Sequence, residues 1–117
     1  MLIQVNTDDN VEGREKFVLY VEAEAARILS RFSDQITRLE IHLSDENGDK
    51  SGSTDKRCLM EARPAGRPPV AVSHDGASLE DAWSGAAKKM LRLLESTLRR
   101  VSDRKGGASI RTDGIAE

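Results

Sequence analysis

Thr37-Arg38-Leu39-Glu40-Ile41-His42-Leu43 is the stretch that decides the fold. Its alternation puts Leu39, Ile41 and Leu43 on one face of a strand and Arg38, Glu40 and His42 on the other, since successive strand side chains point to opposite sides. Downstream, Asp45 to Asp55 holds no apolar residue and reads as a mobile hairpin loop. Cys58, Met60 and Ala62 then alternate with Arg57, Leu59, Glu61 and Arg63, which gives a second strand of the same kind. Pro64-Ala65-Gly66-Arg67-Pro68-Pro69 ends it, because proline lacks the N–H that a ladder needs and fixes its own φ. Val70-Ala71-Val72-Ser73 follows as a short strand suited to a sheet edge.

Upstream, Leu2-Ile3-Gln4-Val5 is a strand, and Asn6 to Asn10 are turn formers. Phe17, Val21, Ala25, Ile28 and Phe32 recur at intervals of four, four, three and four, which predicts a helix over about residues 12–32. Ser78 followed by Asp81 fits an N-cap with negative charge in the first turn. The helix it opens is expected to run to about Lys105, where Gly106-Gly107 is a stop signal, with a core stripe of Trp83, Ala86, Ala87, Met90, Leu94, Leu98 and Val101. The order is β-α-β-β-β-α, an α+β sandwich whose four-stranded sheet carries two helices on one face. One domain over residues 1–105 and a disordered tail over 106–117 use up the chain of 117 residues.

Charge is divided unevenly. Residues 86–105 hold seven basic side chains (Lys88, Lys89, Arg92, Arg99, Arg100, Arg104, Lys105) against two acidic ones, while the protein as a whole carries a net charge of -2. On a helical wheel Lys88, Arg92 and Arg99 cluster opposite the core stripe, flanked by Lys89 and Arg100, so the basic stripe is expected to face solvent. A solvated cationic face is the plain alternative. Few acidic residues stand at i±4 positions to relieve the stripe, and the remaining surface is acidic, which together favour a surface that meets a polyanion.

Other chemistry has less support. His42 lies on a strand and His74 in an expected loop, with no second histidine or cysteine at metal-pair spacing, so no metal or cofactor is expected. Ser73-His74-Asp75 holds the groups of a hydrolytic triad, but neighbours in sequence rarely converge as that mechanism requires, so no enzyme is expected. Gly48-Asp49-Lys50-Ser51-Gly52-Ser53 lacks both the residue order of a phosphate-binding loop and a following helix. Cys58 shares a face with Met60 and Ala62 and reads as a small buried hydrophobe. Phe17, Tyr20, Phe32 and Trp83 are all expected in the core, which argues against base stacking as the main mode of recognition. With no bilayer-length apolar run and no signal-like start, the expected location is the cytoplasm.

Over about residues 1–105 the chain resembles the short members of the ribosome hibernation promoting factor and ribosome-associated inhibitor A family. The resemblance lies in Ile3-Gln4-Val5, in Arg38-Leu39-Glu40-Ile41-His42-Leu43, in the Ser78-Leu79 helix start and in Gly85-Ala86-Ala87-Lys88-Lys89-Met90-Leu91-Arg92-Leu93-Leu94. It implies a fold like the double-stranded RNA binding domain and a stress- and stationary-phase translation inhibitor. Such a protein binds rRNA phosphates in the decoding channel of the small ribosomal subunit, with no small-molecule substrate and no membrane. Lys89 and Arg92 match the family's basic residues most directly, with Lys88 beside them and Arg99 and Arg100 at the helix end. The first helix reads Glu22-Ala23-Glu24-Ala25-Ala26-Arg27 where the family is lysine-rich, leaving Arg27 and Arg31 as its rRNA contacts. A monomer is expected. The alternative function is a protein interaction module of the same fold that does not bind ribosomes.

Overall fold

The computed structural model describes residues 1–8, 14–45 and 56–110, the stretch 99–110 by its backbone alone. Its elements are β1 (Leu2–Thr7), α1 (Arg14–Ile28), a 3-10 turn (Ser30–Phe32), β2 (Ile36–Asp45), β3 (Lys56–Pro64), β4 (Val70–Gly76) and α2 (Leu79–Ile110). The sheet order is β1-β2-β3-β4. β1 and β2 run parallel, with Ile3 opposite Leu39 and Val5 opposite Ile41, as the intervening α1 crossover requires. β2–β3 and β3–β4 are antiparallel.

The alternation expected of the central strands is what seats the core. Leu39, Ile41 and Leu43 of β2 and Cys58, Met60 and Ala62 of β3 are buried on the face that both helices cover. Each fully buried leucine or isoleucine there contributes about 1.5–3 kcal/mol. Val21, Ala25, Leu29 and Phe32 close over them from α1 and its 3-10 turn, and Ala82, Trp83, Ala86, Ala87, Met90, Leu94 and Leu98 from α2. Leu29 extends the expected stripe, while Phe17 and Ile28 pack at its margin. The side chain of Val101 lies outside the described residues.

Several boundaries differ from expectation, for reasons of pairing. β1 continues through Asn6 and Thr7, which sit opposite His42 and Leu43. β4 extends to Gly76, so His74 stands on a strand and not in a loop. Asp45 closes β2 as a buried residue, its backbone N–H donating to Asp8 Oδ2 at 3.2 Å and its carboxylate 3.4 Å from Lys56 Nζ. The rest of the expected hairpin loop, 46–55, and the expected first turn of α1, 12–13, lie outside the described residues. α1 ends at Ile28 because the chain tightens into the 3-10 turn, with Phe32 N–H donating to the Leu29 carbonyl at 2.9 Å. Ser78 caps α2 as expected, its Oγ accepting from Asp81 N–H at 3.0 Å. Gly106-Gly107 does not stop that helix, which runs on to Ile110. Interior glycine weakens a helix by about 1 kcal/mol without forbidding it, and a stop needs a left-handed residue as well as a glycine. Residues 111–117 lie outside the described residues.

Two glycines are dictated by their surroundings. Gly66 takes φ +72° in the turn between β3 and β4, where Arg67 N–H donates to the Pro64 carbonyl at 3.3 Å. A Cβ at Gly85 would collide with the His74 imidazole, which packs from β4 against α2.

Candidate nucleic-acid interface

α1 and α2 lie side by side over the sheet, and of the candidate basic residues Arg27 on α1, Arg31 on the 3-10 turn and Lys88, Lys89 and Arg92 on α2 are exposed. Lys88 and Arg92, four residues apart on α2, are exposed neighbours on one face, and neither makes an ion pair among the described residues. Lys89 is also exposed, but it turns the other way. Its ammonium donates to the Ser73 carbonyl of the edge strand β4 at 2.8 Å, so it reaches toward the sheet instead of pointing straight out. Lys88 and Lys89 therefore straddle α2, as the turn of 100° per residue between adjacent helix positions demands. α2 carries Arg99 and Arg100 farther along, with side chains outside the described residues.

The two arginines expected to contribute from the first helix are present and occupied. Arg27 grips Glu24 with two hydrogen bonds, Nη2 to Oε1 at 2.6 Å and Nε to Oε2 at 3.3 Å. This lowers the Glu24 carboxyl below its ordinary pKa and raises the Arg27 guanidinium. Arg31 pairs with Glu95 of α2 and stacks its guanidinium 4.8 Å over the ring of Phe32. Both arginines remain more than half exposed, so these pairs are weak and exchangeable.

Tyr20 departs from expectation. It is 41% exposed and donates its hydroxyl to Glu80 Oε2 across the helices at 2.9 Å. That hydrogen bond, followed by partial burial, raises the tyrosine above its ordinary pKa, so it stays protonated and a donor. The signal was in the spacing, since Tyr20 lies about 140° from Ala25 on a helical wheel, well off the buried stripe. Arg31–Glu95 and Tyr20–Glu80 join residues 64 and 60 positions apart, and no local pattern announces them.

The open face of the sheet is electrically different. Arg38 pairs with Glu40 at 2.7 Å, Arg57 with Asp75 at 2.8 Å and Arg63 with Glu61 at 3.4 Å. The bond from Arg57 holds the Asp75 carboxyl below its usual range. Pairs two apart along β2 and β3, together with the cross-strand pair Arg57–Asp75, thus neutralise that face, whereas Lys88 and Arg92 keep their charge available on the other. His42 sits on the open face near Glu40. The groups of Ser73-His74-Asp75 cannot converge, because strand alternation sends His74 toward Gly85 and Ser73 and Asp75 to the opposite side. No cluster of three or more metal-ligating side chains occurs among the described residues, and no described helix is long and apolar enough to cross a membrane.

The chain matches no protein-family model and no curated protein sequence. Its fold matches the crystal structure of the N-terminal domain of Protein Y from Thermus thermophilus, with a TM-score of 0.65 and 21% sequence identity over 83% of this chain and 99% of that one. At this identity the likeness is one of fold, and it agrees with the β-α-β-β-β-α architecture.

Proposed function

We propose that the protein binds the small ribosomal subunit in its decoding channel, through the backbone phosphates of the rRNA, and thereby inhibits translation as a hibernation factor of the cytoplasm. The observation that carries this is the contrast between the two faces. The arginines of the open sheet face are each paired with a carboxylate, while Lys88 and Arg92 stand exposed and unpaired among the described residues. Lys89 flanks them, Arg99 and Arg100 continue the stripe along α2, and Arg27 from α1 and Arg31 from the 3-10 turn that follows it join by exchanging Glu24 and Glu95 for phosphate. The motif resemblance to the ribosome hibernation family and the fold shared with the Protein Y domain support the same reading. Phosphate contact needs cations at spacings that track a backbone, and it needs no base-reading motif.

Cosedimentation with purified small subunits over a salt series tests it. Each phosphate neutralised releases counterions, so log affinity should fall against log salt with a slope of about -0.7 to -0.9 per contact. Affinity indifferent to salt would contradict phosphate binding. The occupation of Arg27 and Arg31 by acidic partners favours a second reading, a protein interaction module of the same fold. On that reading the protein stays in the supernatant while ribosomes pellet.

A further inference from the structure

Between α1 and α2 lies a groove of about 310 Å³. Ile28, Trp83, Ala87 and Leu91 supply its apolar lining, Tyr20 stands at one wall, and Glu80, Ser84 and Lys88 bring polar groups to it. We propose that this groove receives one unstacked nucleobase of the bound RNA, stacked on Tyr20 with its adjoining phosphate on Lys88, and that it prefers bases carrying an exocyclic amino group. The inference rests on the RNA-binding function proposed above and names the part of the RNA that one site on the surface would take.

Size, ring, charge and edge chemistry each contribute. The volume falls at the low end of the roughly 300–1,000 Å³ typical of small-ligand sites, which suits a single base with its sugar and excludes a duplex. The Tyr20 ring is exposed yet held, with the Phe17 ring 5.8 Å away at a 34° tilt on one side and the hydrogen bond to Glu80 at its far end. A flat aromatic surface fixed in advance loses little freedom when a base stacks on it. Lys88 is a cation without an ion pair among the described residues, placed at the same groove, and it complements the phosphate that any base must bring with it. Glu24 and Arg27, also in the lining, are paired with each other before RNA binds, which leaves Lys88, among the described residues, as the uncommitted cation of the groove. Glu80 sets the preference. A carboxylate only accepts hydrogen bonds, and with about four lone-pair sites it can keep Tyr20 and take another donor. Cytosine, adenine and guanine offer an amino group there, whereas uracil offers carbonyl oxygens flanking a single N–H.

The test compares three single-stranded RNA hexamers of equal charge: oligocytidylate, oligouridylate and an abasic ribose-phosphate chain. Trp83 is the only tryptophan of the chain and lies in the groove lining, so its emission reports occupancy. Oligocytidylate should bind with a saturating change in that emission, severalfold tighter than oligouridylate, and the abasic chain should bind without the change. Tyr20→Leu should weaken oligocytidylate about tenfold, the scale of a lost base–aromatic stack, and leave abasic binding as it was. Glu80→Gln, which adds a donor beside an acceptor, should narrow the preference for cytosine over uracil. Equal binding of the three hexamers, no binding by any of them, or unchanged oligocytidylate affinity in Tyr20→Leu would overturn the groove proposal. Small-subunit sedimentation of the same wild-type protein decides the broader function separately, so failure of one is distinguishable from failure of the other.

Discussion

Cys58 is wholly enclosed on the inner face of β3, and burial pushes its thiol up to about 12. The unfolded chain releases that proton near pH 9, so the stability it contributes is complete below that point and is lost as pH rises from about 9 toward about 12. Cys58→Ala should flatten the alkaline limb of a melting-temperature profile relative to wild type, and equal alkaline slopes would contradict the burial. Gly85 offers a second test at this scale. In Gly85→Ala the new methyl must displace the His74 ring, an overpacking that should destabilise by about 1–3 kcal/mol in denaturant unfolding. Adding His74→Ala should recover much of that loss, and purely additive effects would show that the contact is unimportant. Cys58 was legible from alternation alone. Tyr20 was legible only from its angle on the helical wheel, since an aromatic ring suits a core equally well, and His74 was not legible from the apolar pattern of residues 70–73. Only the pairing of β4 with β3 places His74 on a strand.

The alternating central strands and the two helical periodicities translated directly into elements, since each pattern matches one backbone period and one buried face. Element ends were harder to read. β4 extends to the start of its partner β3, opposite Lys56, and β1 runs on to pair with Leu43, and no residue within either strand says so. Between the helices, the ion pair from Arg31 to Glu95 depends wholly on tertiary placement. Glu95→Gln should therefore have opposite effects on two measurements. It removes an exposed pair, which lowers stability by at most about 1 kcal/mol. It also frees Arg31 and removes a charge that repels phosphate, so affinity for small subunits at low salt should rise. Unchanged or weakened affinity, measured by sedimentation, would take Arg31 out of the interface.

For the whole molecule, the sequence shows how charge is apportioned along the chain, and the fold converts that into faces. The stripe from Lys88 to Arg100 was visible as a run, and strand alternation already sets Arg38 beside Glu40 and Arg63 beside Glu61, but the neutralisation of Arg57 by Asp75 needed the cross-strand register. Equally invisible was the diversion of Lys89 to the Ser73 carbonyl, which makes the basic surface broader and less uniform than a wheel suggests. On the proposed function, a particular face, and not total charge, meets the ribosome. The most direct measurement is the dissociation constant for purified small subunits of two variants that lose equal charge: Lys88→Gln, Lys89→Gln, Arg92→Gln against Arg14→Gln, Lys16→Gln, Arg63→Gln. Glutamine is a good helix former and Arg63 is an exposed strand position, so circular dichroism and melting should confirm that both variants fold. The first variant should bind at least about tenfold more weakly while the second stays within about twofold of wild type. Equal weakening of both would contradict the proposal.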